Sequence, residues 1–395
     1  MCFKNKFNIY HLYALSALFS FFWFSITPAL VIYLVKNLDA SYFYTGFIAG
    51  IGYISYVSST YYLGKKVDDL GAGVVMKVAF MLLLVSIIIL LIFGTEKLIF
   101  LFSSILFGFA RSAYRSANNV LIKHISINVT SSFVSSYTIY NAFSCFGALV
   151  GTFFVGFLDI RLLFLFNLII IIVSLVFIKI PSFSKKEVFV SKQKLSLILS
   201  QPWVINLLLV QTIFSISYSQ IFSSLPMILS HSSSKNLTYG LIVALNSTLV
   251  IIFSPFLKRM LSRLSFLHVS YFGFMAIFVA TLCLVLSYSI YSLLTFIVFF
   301  TFGEIALFPI FSLLISENVN INDQGKYYGV MNLSFIGSFA GSFVGGIFLT
   351  YRLDSILWIT IMLLIPVSMY LMTRIFKQIN NLSRIGSQND VLCSL

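Results

Sequence analysis

Charge is what this chain has least of. Asp, Glu, Lys and Arg together supply 9% of its residues, whereas a water-surrounded domain carries about a quarter. Hydrophobic residues supply 59%, and the mean hydropathy is +1.02. A fold surrounded by water could not cover so much apolar surface, so the solvent is lipid. Cysteine is sparse too. Cys2, Cys145, Cys283 and Cys393 are scattered without a C-x-x-C, which argues against a disulfide framework or a thiolate metal site. His11, His124, His231 and His268 are equally dispersed, so no metal site is readable. A G-x-x-x-x-G-K-[ST] loop is missing, which excludes ATP as the energy source of this chain. So is any nucleophile–base constellation, and no catalytic residue is assigned.

What is present is a series of long apolar runs. Stretches of about the length that crosses a bilayer fall at 10–35, 42–63, 74–93, 98–122, 133–158 and 162–178. Six more fall at 203–229, 239–257, 267–288, 292–315, 327–350 and 355–375. The expected fold is an all-α polytopic membrane protein with twelve transmembrane helices. The net charge of +14 would suit nucleic acid, but the basic residues sit in the gaps between runs and report topology instead. With the N-terminus inside, the inner gaps collect eighteen Lys and Arg and the outer gaps five, Lys36, Lys97, Arg161, Lys235 and Arg352. That asymmetry places both termini in the cytoplasm. The first apolar run follows MCFKNKF with no A-x-A-like site, so it is expected to be retained as a helix.

A basic, proline-punctuated stretch at 179–202 divides the chain into 1–178 and 203–395. The two parts show a repeat. Gly147, Gly151 and Gly156 are followed, 190 residues on, by Gly337, Gly341 and Gly346. The same displacement sets Ser254 on Gly64, and Pro28 matches Pro226 with a slightly longer one. Small residues four apart let lipid-buried helices approach closely, so each triplet alone is explained by packing. Their repetition points to two six-helix bundles related by a parallel repeat, a recurring transporter plan.

Eleven acids complete the inventory, and ten of them fall in gaps. Glu304, in FFTFGEIALFPIF, is the exception, about 17 Å from the outer end of its run at 1.5 Å per residue. An ionised carboxylate at the midplane costs about 2.5–3.5 kcal/mol. Protonating a glutamate at pH 7, from an ordinary pKa of about 4.3, costs about 3.7 kcal/mol. Costs this close allow small changes in hydration to switch its proton, as a proton-coupling site requires. A permanent ion pair is the alternative role. Arg111 and Arg115, four apart on one helix face, supply cationic partners, with Arg115 near enough to the inner end to snorkel. Trp23, Asn118, Asn141, Tyr218, Gln220, Asn246 and Asn332 are candidates to line a substrate cavity, with Tyr53 as a further aromatic wall.

GKKVDDLG, residues 64–71, resembles the loop motif of the major facilitator superfamily, with Gly64, Asp68 and Gly71 matching. Asp69, Ala72 and Gly73 stand where that motif is basic. TFGEIALFP, GKYYGVMN and ARSAYRSANN resemble segments of its drug:proton antiporter branch, while Thr152 and Ser342 replace the prolines of the antiporter motif. The resemblance implies a major-facilitator-like fold and Gly64, Asp68 and Gly71 acting as a conformational latch. In that latch Gly64 would allow the second span to approach the eleventh, and Gly71 a tight turn. It further implies proton-coupled efflux of drugs or amphipathic metabolites, driven by the proton gradient without a cofactor, by a monomer in a bacterial inner membrane. The departures at Thr152 and Ser342 keep open a facilitator or symporter importing a sugar, metabolite or metal chelate. A receptor that binds solute without moving it is a third reading. The topology is testable: fluorescent protein fused at residue 395 should fold and fluoresce inside, and alkaline phosphatase fused after Arg161 should be active outside. The reverse pattern would overturn the orientation.

Overall fold

The computed structural model describes residues 9–94, 96–126, 129–177, 195–230, 233–320 and 323–392. Lipid offers no partner for a backbone N–H or C=O, so each crossing segment must satisfy its own. The regular structure found among the described residues is accordingly helical. The first part of the chain forms α1 (Ile9–Lys36), α2 (Tyr42–Leu70), α3 (Ala72–Phe93), α4 (Lys97–Ile125), α5 (Val129–Phe157) and α6 (Ile160–Phe177). A short α7 (Leu195–Leu199) precedes α8 (Pro202–Phe222), α9 (Ser224–Leu229), α10 (Ser233–Arg263), α11 (Phe266–Leu286) and α12 (Ile290–Asn318). Then come α13 (Gln324–Met331), a 3₁₀ turn (Asn332–Phe335), α14 (Ile336–Thr350) and α15 (Asp354–Leu392).

Helix lies on every apolar stretch marked in the sequence, and nine candidate spans among the described residues are long and apolar enough to cross a membrane. α2 is diluted by Gly, Ser, Thr and Tyr, and the apolar parts of α6 and α10 are shorter. Two stretches expected as single helices are interrupted. Between α8 and α9, Ser223 takes φ −118° and ψ −71°, and Pro226 has no N–H for the Phe222 carbonyl. Between α13 and α14 the chain tightens into the 3₁₀ turn that begins at Asn332. The basic stretch at 179–194 lies outside the described residues.

The chain forms two compact units. One comprises Met1–Val188, Tyr218–Ile252 and Ser338–Asp354, the other Phe189–Ser217, Phe253–Gly337 and Ser355–Leu395. In the first, α5 lies directly on α1: a Cβ at Gly147 would stand 2.6 Å from the Phe21 carbonyl oxygen, and one at Gly151 would strike that of Ser25. α2 meets α14 in the same way, a Cβ at Gly46 standing 2.5 Å from the Ser342 carbonyl oxygen and one at Gly50 standing 2.9 Å from the Phe339 ring. From the other side of that seam, a Cβ at Gly346 would stand 2.5 Å from the Tyr42 carbonyl oxygen. α10 meets α5 where Gly240 presses on Thr152, with the Ala148 carbonyl oxygen 3.3 Å from the Cβ position. Val31, Met227 and Leu349 form a buried cluster beside these contacts, flanked by Val35, Tyr42, Ala49 and Ile228.

Several of these contacts fall at positions with the same displacement in sequence. Gly50 and Gly240 are 190 residues apart, and each presses on a helix from the other half of the chain, α14 and α5. Gly147 and Gly337 share that displacement, and Gly337 in the second unit presses on the Thr212 carbonyl of α8 as Gly147 presses on α1. The second unit is further held by α11 against α12 through Gly273 and Gly303. Trp203 stacks on Tyr327 at 5.9 Å, and Trp358 Nε1 donates to the Tyr288 hydroxyl at 2.7 Å.

Within the loop motif, Gly71 turns the chain from α2 into α3 at φ 90°, a conformation in which a Cβ is strained, and its N–H caps the Val67 carbonyl at 3.0 Å. Gly64 differs from expectation. A Cβ there would meet nothing within 4 Å, and the close approach of α2 to α14 falls at Gly46 and Gly50 instead. The Asp68 side chain lies outside what the structure describes. Gly341 is buried and Gly156 half-buried. Valine at Gly50 or Gly240 should therefore lower the thermal midpoint of the purified protein, by overpacking worth about 1–3 kcal/mol. Gly64→Val should leave it unchanged, and equal effects at all three positions would contradict the seam.

Candidate functional site

Arg111 sits halfway along α4. The guanidinium is framed by aromatic faces. Its Cζ lies 4.6 Å from the centroid of the Trp23 ring and 5.7 Å from those of Tyr53 and Tyr56. Tyr140 of α5 and Tyr218 of α8 also interact with it electrostatically. An aromatic face carries negative potential, so a ring cage lowers the cost of a cation in a low-dielectric interior by about 0.5–2 kcal/mol per good contact. The frame follows from helix phase: Tyr53 and Tyr56 are three apart on α2, and Trp23 faces them from α1. One turn further along α4, Tyr114 stacks on Phe19 with centroids 3.8 Å apart and donates a hydrogen bond to Ser16 at 2.9 Å. Arg115 is exposed.

A small cavity of about 30 Å³ adjoins this frame. Trp23 and Tyr53 line it together with Leu30, Val31, Ile48 and Phe107, so its wall is mostly apolar. Ser104 and Phe107 precede Arg111 by seven and four residues and lie on the same face of α4. Tyr239 of α10, fully buried, interacts electrostatically with Tyr53, and its hydroxyl has no hydrogen-bond partner in the structure.

The other sequence candidates are dispersed around the two units. Tyr218 packs on Phe222 at 5.4 Å, and Phe222 on Phe24 at 5.5 Å. Gln220 is fully buried and its Oε1 accepts from the Ser224 hydroxyl beside Gly345. Asn141 turns its amide back to the Tyr137 carbonyl at 2.9 Å. Asn246 is buried next to Ser247, whose hydroxyl meets that of Ser144 at 2.7 Å. Asn118 is buried, and its Oδ1 has no hydrogen-bond partner. Asn332 opens the 3₁₀ turn of the second unit. Tyr56, Tyr140 and Tyr239 were not among the expected cavity residues. The signal available for Tyr56 was its spacing from Tyr53; for the other two it was only their neighbours Asn141 and Gly240.

Glu304 belongs to the second unit and is 3% exposed. It follows Gly303, which fixes α12 against α11. Phe308 and Phe311, four and seven residues on, share its helix face and pack edge-to-face on Phe214 of α8 at 5.1 and 5.7 Å. Pro309 lies inside α12 and leaves the Ile305 carbonyl without its helical donor. The acid is thus held next to a point where the helix is missing a bond.

Long apolar helices with an arginine framed by rings and a buried acid within them describe an integral, multi-pass membrane protein. The chain belongs to the Major Facilitator Superfamily, whose sequence profile matches residues 12–346. It is 24% identical over 339 residues to the uncharacterized MFS-type transporter YqjV of Bacillus subtilis (strain 168), covering 81% of each chain. Its fold is similar to that of a POT family transporter solved with 5-aminolevulinic acid, with TM-score 0.76 and 13% identity over 94% of this chain and 96% of that one. It is also similar to the nucleoside transporter NupG, with TM-score 0.69 and 15% identity over 93% and 99%.

Proposed function

We propose that this chain is a proton-coupled secondary transporter that exports small amphipathic organic solutes by alternating access. The observation that carries the coupling is Glu304, an acid buried to 3% exposure inside an apolar helix. Its two protonation states lie close in cost there, so a change in its surroundings between two conformations takes up or releases a proton. Twelve spans in two repeats, 1–178 and 203–395, joined by the cytoplasmic segment 179–202, supply the alternating scaffold. Gly64, Asp68 and Gly71 form its inner latch. In this reading the protein works as a monomer in a bacterial inner membrane, with both termini in the cytoplasm, the proton gradient as its energy source and no cofactor.

A second reading is supported by Thr152 and Ser342, which occupy the α5–α10 and α2–α14 seams where the antiporter motif has proline. It is a symporter or facilitator importing a sugar, metabolite or metal chelate, and solved proteins of similar fold include peptide and nucleoside transporters. A receptor that binds without transport is the third. Everted vesicles given a panel of fluorescent solutes under an imposed pH gradient decide among them. Export predicts uptake into the vesicles when their interior is acid, abolished by Glu304→Gln while solute exchange persists. Uptake driven by the opposite gradient selects import, and flux indifferent to Glu304→Gln removes the coupling role.

A further inference from the structure

We infer that the cavity where α1 ends and α6 begins is a headgroup site for a zwitterionic phospholipid of the phosphoethanolamine class, its ammonium held by Asp159, Asn37 and Tyr33 and its phosphate by Arg161. The cavity measures about 350 Å³, within the range of about 300–1,000 Å³ that small ligands occupy. Tyr33, Asn37 and Asp159 line it with Val155, Leu158 and Ile160, and its wall is mostly polar. Local structure fixes the polar groups. The Asn37 N–H closes the end of α1 on the Tyr33 carbonyl at 2.9 Å. The Arg161 N–H donates to Asp159 Oδ1 at 2.8 Å, so Asp159 caps the first turn of α6. That bond uses one carboxylate oxygen and leaves the other, Oδ2, to a ligand. Tyr33 packs its ring on Phe100 and interacts electrostatically with both Asp159 and Arg161, which sets two opposite charges beside one cavity.

The chemistry selects the headgroup. A primary ammonium carries three N–H donors, and the cavity offers three oxygen acceptors: the Asp159 carboxylate, the Asn37 amide and the Tyr33 hydroxyl. A quaternary choline has no N–H to give them, and an anionic glycerol headgroup brings Asp159 no positive charge. A simple amine would give Arg161, exposed two residues beyond Asp159, no anion. A phosphate esterified to an aminoethyl group supplies both charges in one ligand. The cavity also opens on lipid. Residues 159–161 lie between the fifth and sixth apolar runs, at the level of the headgroups. Leu158 is a wall of the cavity and is 47% exposed, and Phe157 beside it is 54% exposed. One turn into α6, Leu162 begins an exposed apolar stripe that continues through Leu165 and Ile169 to Ile172. It runs about 15 Å at 1.5 Å per residue, one leaflet of a hydrocarbon core about 30 Å thick. Soluble phosphoethanolamine would leave that stripe unused, whereas a lipid covers it with acyl chain. The site requires neither Arg111 nor Glu304, so it stands whatever solute the protein moves.

The test is native mass spectrometry of the full-length protein in detergent, titrated with lipids of identical acyl chains. Saturable retention of phosphatidylethanolamine is expected, about tenfold or more stronger than that of phosphatidylglycerol or phosphatidylcholine, the strength of a charge-assisted hydrogen bond. Stepwise N-methylation of the headgroup should weaken retention at each step as donors are removed. Asp159→Asn keeps an oxygen for the Arg161 N–H but loses the charge, and should weaken retention by about tenfold. Tyr33→Phe should weaken it by about threefold, and Asp354→Asn, at the start of α15, should leave it unchanged. The methylation series on the unaltered protein keeps the test decisive if a variant fails to fold. Equal retention of phosphatidylglycerol or phosphatidylcholine overturns the site. So does undiminished affinity in a folded Asp159→Asn, or an equal loss in Asp354→Asn. Displacement by soluble phosphoethanolamine at the lipid's own concentration overturns the lipid as its occupant.

Discussion

A hydrocarbon solvent that can neither hydrogen-bond a peptide group nor solvate a charge governs every level of this molecule. It leaves helix as the economical way to cross, since a helix satisfies its backbone internally. It also removes the force that packs soluble cores, because lipid tails are as apolar as leucine. Helices must then be held by contact, and contact is closest where side chains are smallest. This is why glycine marks each tight seam: Gly147 and Gly151 on α1, Gly46 and Gly50 on α14, Gly240 on α5, Gly337 on α8. The same solvent sorts the charges. Ten of eleven acids lie outside the apolar runs, and of the charges inside them Arg111 is framed by rings while Glu304 is buried to 3% exposure.

Much of this could be read before any coordinates. Helices follow the apolar runs because run length and bilayer thickness are set by the same geometry. The Gly71 turn was legible because the motif placed glycine between two helices. The interruptions at Ser223 and Asn332 were not, because Pro28 sits inside an unbroken α1 while Pro226 coincides with a break. A proline alone does not say whether its freed carbonyl is relieved by bending or by ending the helix. Gly64 shows another limit. The motif fixes which residue is small, but not which helix stands opposite it in a given conformation.

The arginine site was half legible for a similar reason. Trp23, Tyr53 and Arg111 each stood out by type, and nothing in their spacing says that α1, α2 and α4 turn those faces toward one point. Rotational phase is set by packing, through Gly108 on Gly52 and Gly147 on Phe21, and weak amphipathicity in lipid leaves little trace of it in sequence. Glu304 was legible as anomalous, and its neighbours Phe308 and Phe311 follow from helix spacing, but their partner Phe214 does not.

The repeat makes the two charges more informative together than apart. A displacement of 190 residues relates Gly50 to Gly240 and Gly147 to Gly337, and it carries Tyr114 to Glu304 and Arg111 to Thr301. Each charge is thus matched by a buried neutral hydroxyl in the other repeat. Tyr114 donates to Ser16 at 2.9 Å, and Thr301 donates back to the Ile297 carbonyl at 2.5 Å. Those positions are polar in both repeats, yet only one member of each pair bears charge. Packing that tolerates a satisfied hydroxyl in either repeat does not call for a charge there. A midplane charge costs a few kcal/mol beyond such a hydroxyl. A cation framed by rings on α4 and a buried acid on α12 therefore stand apart from what packing alone explains at these positions.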